Sequence, residues 1–176
     1  MDINAIEIAG TVWAKDIDHV LLSVVRENNK ENFIRVWGIS PAIKLGEEIA
    51  VSGELACGQL YPGAKKLVLG VKAKSVCHNA KKDSLIFTGT IIAKGKLRIT
   101  PFGKRILDLT VKIDEKTFVP VVVWHGKAEY AEWSLHVGDS VEVNGLLVSR
   151  GYDKVKKGRT FKKITTEVSA ISVSRI

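Results

Sequence analysis

The chain repeats itself. Ala9-Gly10-Thr11-Val12 returns as Thr88-Gly89-Thr90-Ile91, and Val36-Trp37-Gly38 returns as Val123-Trp124-His125-Gly126. The stretch from Leu45 to Leu55 returns from Val137 to Leu147, with Gly46 matched to Gly138 and Gly53 to Gly145. Lys74-Ser75-Val76 ends one half as Ile171-Ser172-Val173 ends the other. The offsets are 79, 87, 92 and about 97 residues, and they grow in the order of the blocks, as loop insertions would make them. A chain of 176 residues that repeats once is expected to hold two small domains of like plan. The join from Cys77 to Asp83 is short and polar, a tight connector and not a long flexible linker. The expected division is residues 1–77, a connector at 78–84, and residues 85–176.

Each half reads as short strands. Leu107, Leu109, Val111 and Ile113 alternate with polar neighbours, the period of a half-buried strand. Thr117 to Trp124 is rich in β-branched and aromatic residues. Val141, Val143 and Leu147 alternate again. An opening strand at Leu85–Ala93 and a last one near Thr165–Val173 make five. Between the third and fourth, Ala128 to Leu135 favours a short helix, which Gly138 can end. The first half follows the same plan, but its segment Ile39–Lys44 contains Pro41, so its helix is short or absent. Five strands with one helix between the third and fourth is the plan of an OB-fold, a small Greek-key barrel whose outer face and loops bind oligonucleotides or oligosaccharides. The rival is a generic β-sandwich, which the placement of the single helix disfavours. The expected fold class is all-β, with two tandem OB-folds.

The formal net charge is +8, and it is unevenly placed. Residues 1–80 carry nine basic and nine acidic side chains, whereas residues 81–176 carry 18 and 10. A polyanionic partner is implied, approached through the second half. The two cysteines, Cys57 and Cys77, form no CxxC, and the four histidines are scattered, so neither a metal nor a cofactor is expected. The N-terminus lacks the marks of a signal peptide, and no apolar run approaches the ~20 residues that span a bilayer. A cytoplasmic location without membrane contact follows as the expectation. No GxSxG, P-loop or HExxH motif is present, and the acidic residues are spread singly. An enzyme is therefore not expected.

Binding single strands needs a basic groove for the backbone and aromatic faces for the bases. The segment from Arg150 to Lys163, expected as the turn between strands four and five, holds seven cations and one acid. Its members are Arg150, Tyr152, Lys154, Lys156, Lys157, Arg159, Phe161 and Lys162. A second basic stretch, between strands one and two, sets Arg98, Lys104 and Arg105 around Phe102. Phe118 and Trp124 are six apart on one strand and face the same side. Phe33, Arg35 and Trp37 share a face in the first half, with Tyr61 at a hairpin tip. The bland alternatives are a solvated hairpin and aromatics that plug the barrels. Trp13 and Trp133 are expected to be packing residues.

The second half resembles the bacterial single-stranded DNA-binding proteins. Phe118-Val119-Pro120-Val121-Val122-Val123-Trp124 is similar to that family's third strand, with two aromatics at this spacing. Gly126-Lys127-Ala128-Glu129 and the run from Val137 to Leu147 resemble its helix, turn and fourth strand. Arg98 to Lys104 resembles its first turn, and Thr166-Glu167-Val168 a triplet in its last strand. The resemblance covers about residues 85–176 and reaches the first half only through the repeat. It implies base stacking on Phe118, Trp124 and Tyr152, with Trp37 and Tyr61 carried over more weakly. Members commonly end in an acidic-tipped tail that recruits other proteins. Here the sequence runs to Ser174-Arg175-Ile176 directly after the last strand, so recruitment by that route is not expected. Most members have one barrel per chain and form tetramers, so a tandem chain implies a homodimer with four barrels. The expected function is sequence-tolerant binding of single-stranded DNA in replication, recombination or repair. An assembly module of a primosome-like complex and an RNA-binding OB protein are the alternatives.

Overall fold

In a computed structural model, which describes residues 2–78 and 80–176, the chain forms eleven strands and one helix among those residues. The side chains of Tyr152, Asp153, Lys154, Lys156, Phe161 and Lys162 also lie outside the description. The first half supplies β1 (Asn4–Lys15), β2 (His19–Val25), β3 (Glu31–Trp37), β4 (Glu48–Gln59) and β5 (Leu67–Cys77). The second supplies β6 (Asp83–Lys94), β7 (Arg98–Ile99), β8 (Arg105–Lys112), β9 (Phe118–Trp124), α1 (His125–Ser134), β10 (Ser140–Lys156) and β11 (Arg159–Arg175). None of the described helices is long and apolar enough to cross a membrane.

The pairings close each half into a barrel. β1 pairs antiparallel with both β2 and β4, β2 with β3, and β4 with β5, while β3 and β5 meet in parallel. β6, β8, β9, β10 and β11 repeat this circuit. This is the Greek-key circuit of two OB-folds, in each of which the alternation visible in the sequence sets the inward face of the strands. Inward positions such as Ile34, Val36, Leu109 and Val111 are buried, and their neighbours in the chain face out. Closing so small a barrel brings backbones close together. A Cβ on Gly10 would stand 2.5 Å from the Ser23 carbonyl oxygen, and one on Gly89 equally close to that of Lys112. Only glycine fits these repeat-matched positions.

Three expectations are revised. α1 starts at His125 rather than Ala128, and it stops at Ser134. Its last carbonyls are met by Lys94, whose ammonium donates to the oxygens of Glu132 and Leu135. Gly138 therefore does not end the helix. It turns the chain into β10 and donates its N–H to Ile91 O at 2.8 Å, as Gly46 does to Val12 O in the first half. The third strands are both seven residues long but differ in where they place the matched phenylalanine. Ser23 faces Phe33 across β2 and β3, and Lys112 faces Phe118 across β8 and β9, so Phe33 matches Phe118. Trp37 and Trp124 each end their strand before a left-handed residue, Gly38 or His125, but Trp124 stands two residues further along.

The halves are fused along β1 and β6, which pair antiparallel from Asn4↔Phe87 to Ile8↔Asp83. The buried side chains of both barrels form one continuous apolar cluster. Arg26 adds a bidentate bond to Asp83, with Nε and Nη2 donating at 2.7 and 3.0 Å. Lys82 reaches back from the connector to Glu7 at 3.0 Å.

Candidate nucleic-acid interface

β3 sets the first half's outer face. Asn32, Ile34 and Val36 point into the barrel, so Phe33, Arg35 and Trp37 point out, as strand alternation requires. The Trp37 ring lies flat across β5 and β4, because both carry glycine beneath it. A Cβ on Gly70 or Gly58 would come within 2.5 or 2.8 Å of that ring. His19 stands at its edge, with ring centroids 6.0 Å apart. Burial pulls the Arg35 guanidinium down from its ordinary value, although an arginine stays charged in any such site. Tyr61 is exposed in the turn between β4 and β5.

The second half places Phe118, 41% exposed, at the matching start of β9. Trp124, at the other end, is half-buried. Its indole N–H donates to Ser169 Oγ at 3.1 Å, and the Lys104 ammonium stands 5.9 Å from its ring centroid. An ammonium over an indole face is held by the ring quadrupole. Phe102, 91% exposed, tips the turn between β7 and β8. That turn is built rather than loose. Thr100 N donates to Lys104 O, and Gly103 N to Thr100 O, both at 2.8 Å.

The basic segment expected as a turn is a hairpin ladder. β10 and β11 stay paired to Lys156↔Arg159, with Tyr152 opposite Lys163 and Lys154 opposite Phe161. Lys157 and Gly158 alone turn the chain, with φ of 51° and 74°, the signature of a type I′ turn. Tyr152, Lys154, Lys156, Phe161 and Lys162 are thus placed by backbone register, and their side chains lie outside the described residues.

Several of the expected phosphate contacts are already paired with carboxylates. Arg98 meets Asp108 at 2.9 Å, Arg105 meets Glu129 at 2.5 Å, and Arg150 meets Glu167 at 2.6 Å. The first two pairs are half-exposed and weak, so a phosphate can displace the acid. Glu167 is more enclosed, which holds Arg150 more firmly. Arg150 and Glu167 stand at the positions that Gly58 and Gly70 occupy in the other barrel.

The two faces meet across the join. Phe33 N donates to Ser149 Oγ at 2.7 Å, and Ser149 N to Asn32 Oδ1 at 3.0 Å. The matching contact runs the other way, from Cys57 Sγ to Phe118 O at 3.8 Å. β3 thus abuts β10, β9 touches β4 at the Cys57–Phe118 contact, and Phe33 sits at the base of the basic hairpin. Phe102 and Tyr61 remain apart from these junctions, each on its own turn. Neither Trp13 nor Trp133 packs inside. Trp13 is 59% exposed with its ring 5.0 Å from that of Phe33, and Trp133 is 74% exposed on α1 beside Tyr130.

The family model for the single-strand binding protein family matches residues 83–176. No curated protein matches the sequence. Among solved structures, the wild-type single-stranded DNA binding protein from Thermus aquaticus is similar, at 23% identity and a TM-score of 0.71. The match covers 99% of this chain and 93% of that one. A deletion mutant of the Thermus aquaticus protein gives 22% and 0.72, covering 99% and 95%. At these identities the likeness is one of fold, and it extends over both barrels.

Proposed function

The chain belongs to the single-strand binding protein family, and as a member it binds single-stranded DNA and is not an enzyme; we propose that one strand is held by both barrels at once. Bases stack on Phe33, Trp37, Phe118 and Trp124, and on Tyr152 and Phe161 of the hairpin. Phosphates are neutralised by Lys104, Lys154, Lys156, Lys157, Arg159 and Lys162, and by Arg98, Arg105 and the more firmly held Arg150 once their carboxylates are displaced. Phe102, Tyr61 and Arg35 flank that path. Residues 1–77 and 85–176 act as the two binding units, joined at 78–84. The observation that carries this reading is the bond from Phe33 to Ser149, which brings the first half's aromatic face against the second half's basic hairpin.

Two such chains would present four barrels, so a homodimer in the cytoplasm, serving replication, recombination or repair, completes the proposal. A monodisperse monomer at micromolar concentration in sedimentation velocity would end the dimer part of it. The binding part is tested by titrating oligo-dT into the protein at two salt concentrations while following tryptophan fluorescence. Saturable quenching that weakens with salt, by about −0.7 in slope per neutralised phosphate, is the expected result. No quenching at low salt contradicts it. Competition by a matched RNA oligonucleotide at equal strength would shift the reading toward RNA.

A further inference from the structure

We infer that Trp13 and Phe33 form one base-stacking platform, placed where the first barrel meets the basic hairpin of the second. The inference rests on the single-strand reading above and adds a residue to it. Trp13 is the extra residue of a bulge in β1: Val12 faces Leu22 and Ala14 faces Leu21, which leaves Trp13 opposite nothing. Bulges re-aim a side chain, and they gather beside functional sites. Strand alternation already points Trp13 outward beside the fully buried Val12, and the bulge leaves it without a cross-strand partner on β2. The indole then reaches across β2 to Phe33, at 5.0 Å between centroids and 59° between planes. That is ordinary geometry for an aromatic pair, yet more than half of Trp13 is left in water.

The second half bulges at the same place, between Ile91 and Ala93, and presents Ile92 there. Its outer face also carries Lys112 where the first carries Ser23. The matched face of the first half thus has Trp13 where the second has Ile92, and Arg35 of β3 as its outward cation, in a half that carries no net charge. An indole face holds any base by stacking. Phe33 N is bonded to Ser149, one residue before Arg150, so a base on this platform has its phosphate at the root of the cationic hairpin.

The test compares three variants of the full chain with wild type, by oligo-dT affinity and by sedimentation velocity. Trp13→Ala should weaken affinity about tenfold at unchanged salt slope and unchanged oligomeric state. Trp13→Phe should restore most of that affinity. Trp133→Ala, on α1 away from this face, should match wild type. Wild-type affinity in Trp13→Ala overturns the inference while leaving the single-strand reading intact. A changed sedimentation coefficient in Trp13→Ala also overturns it, since Trp13 would then serve an interface between copies. Failure of the wild-type protein itself to bind would instead remove the reading on which the inference stands.

Discussion

Ile6 on β1 stands directly opposite Leu85 on β6, and the two are the same position of the repeat. An antiparallel pair in which a residue faces its own equivalent defines a local two-fold axis. The cross-contacts obey it, since Phe33 with Ser149 mirrors Phe118 with Cys57. One chain thereby builds what two identical barrels would build as a dimer, with an isologous contact made internal. Both residues on the axis are buried.

Because the axis runs through a shared core, the halves should unfold together. Ile6→Ala is expected to cost about 2–5 kcal/mol. Calorimetry should show one transition moved as a whole. Two separated transitions, with one displaced, would contradict a common core.

Phe118→Ala should weaken oligo-dT binding by about 1–3 kcal/mol while leaving the melting temperature close to wild type. The side chain is partly exposed, so little packing is lost. Equal affinity in a titration would remove Phe118 from the path.

The hairpin turn tests the electrostatics. Arg159 is exposed beside the turn, and Arg159→Ala should flatten the slope of log affinity against log salt by about 0.7. Glu129→Gln should act in the opposite direction. It releases Arg105 from a half-exposed ion pair and should raise affinity at low salt. Unchanged affinity for both variants would show that strands do not pass this side of the second barrel.

The connector has its own pH signature. The hydrogen bond from Lys82 holds the Glu7 carboxyl below its ordinary value of 4.5, and Glu7 in turn holds Lys82 above its ordinary 10.5. The Glu7 contribution is present above pH 4.5 and is lost as pH falls through the lowered folded value. The Lys82 contribution is present below pH 10.5 and is lost only above the raised one. Glu7→Gln should therefore melt below wild type at pH 7, and the gap should close in acid. A gap that stays constant down to pH 3 would show that the pair does not couple to folding.

Much of this molecule was legible in its sequence, because two barrels of one plan leave two copies of the same pattern. Gly10 and Gly89, Gly46 and Gly138, and Gly53 and Gly145 mark backbone positions that both barrels need, and they aligned the halves. The outward face of Phe33, Arg35 and Trp37 followed from a period of two. Other parts were hidden for physical reasons. The span from Arg150 to Lys163 looked like a loop because cations fill its alternating positions, so no apolar period betrayed the ladder. Trp13, expected as a packing residue, follows the buried Val12 and so faces out by strand alternation. The bulge that leaves it without a partner on β2 is announced by no local residue. The carboxylates on Arg98, Arg105 and Arg150 come from neighbouring strands and from α1, so only the folded chain brings them there.

The most direct test of a shared path is photocrosslinking of the full chain to an oligonucleotide carrying 5-iododeoxyuridine, with the adducts located by peptide mass mapping. Adducts on Phe33 or Trp37 together with adducts on Phe118 or Trp124, from one saturated complex, are the expected result. Adducts confined to residues 85–176 would contradict the central claim and leave the first barrel as a scaffold.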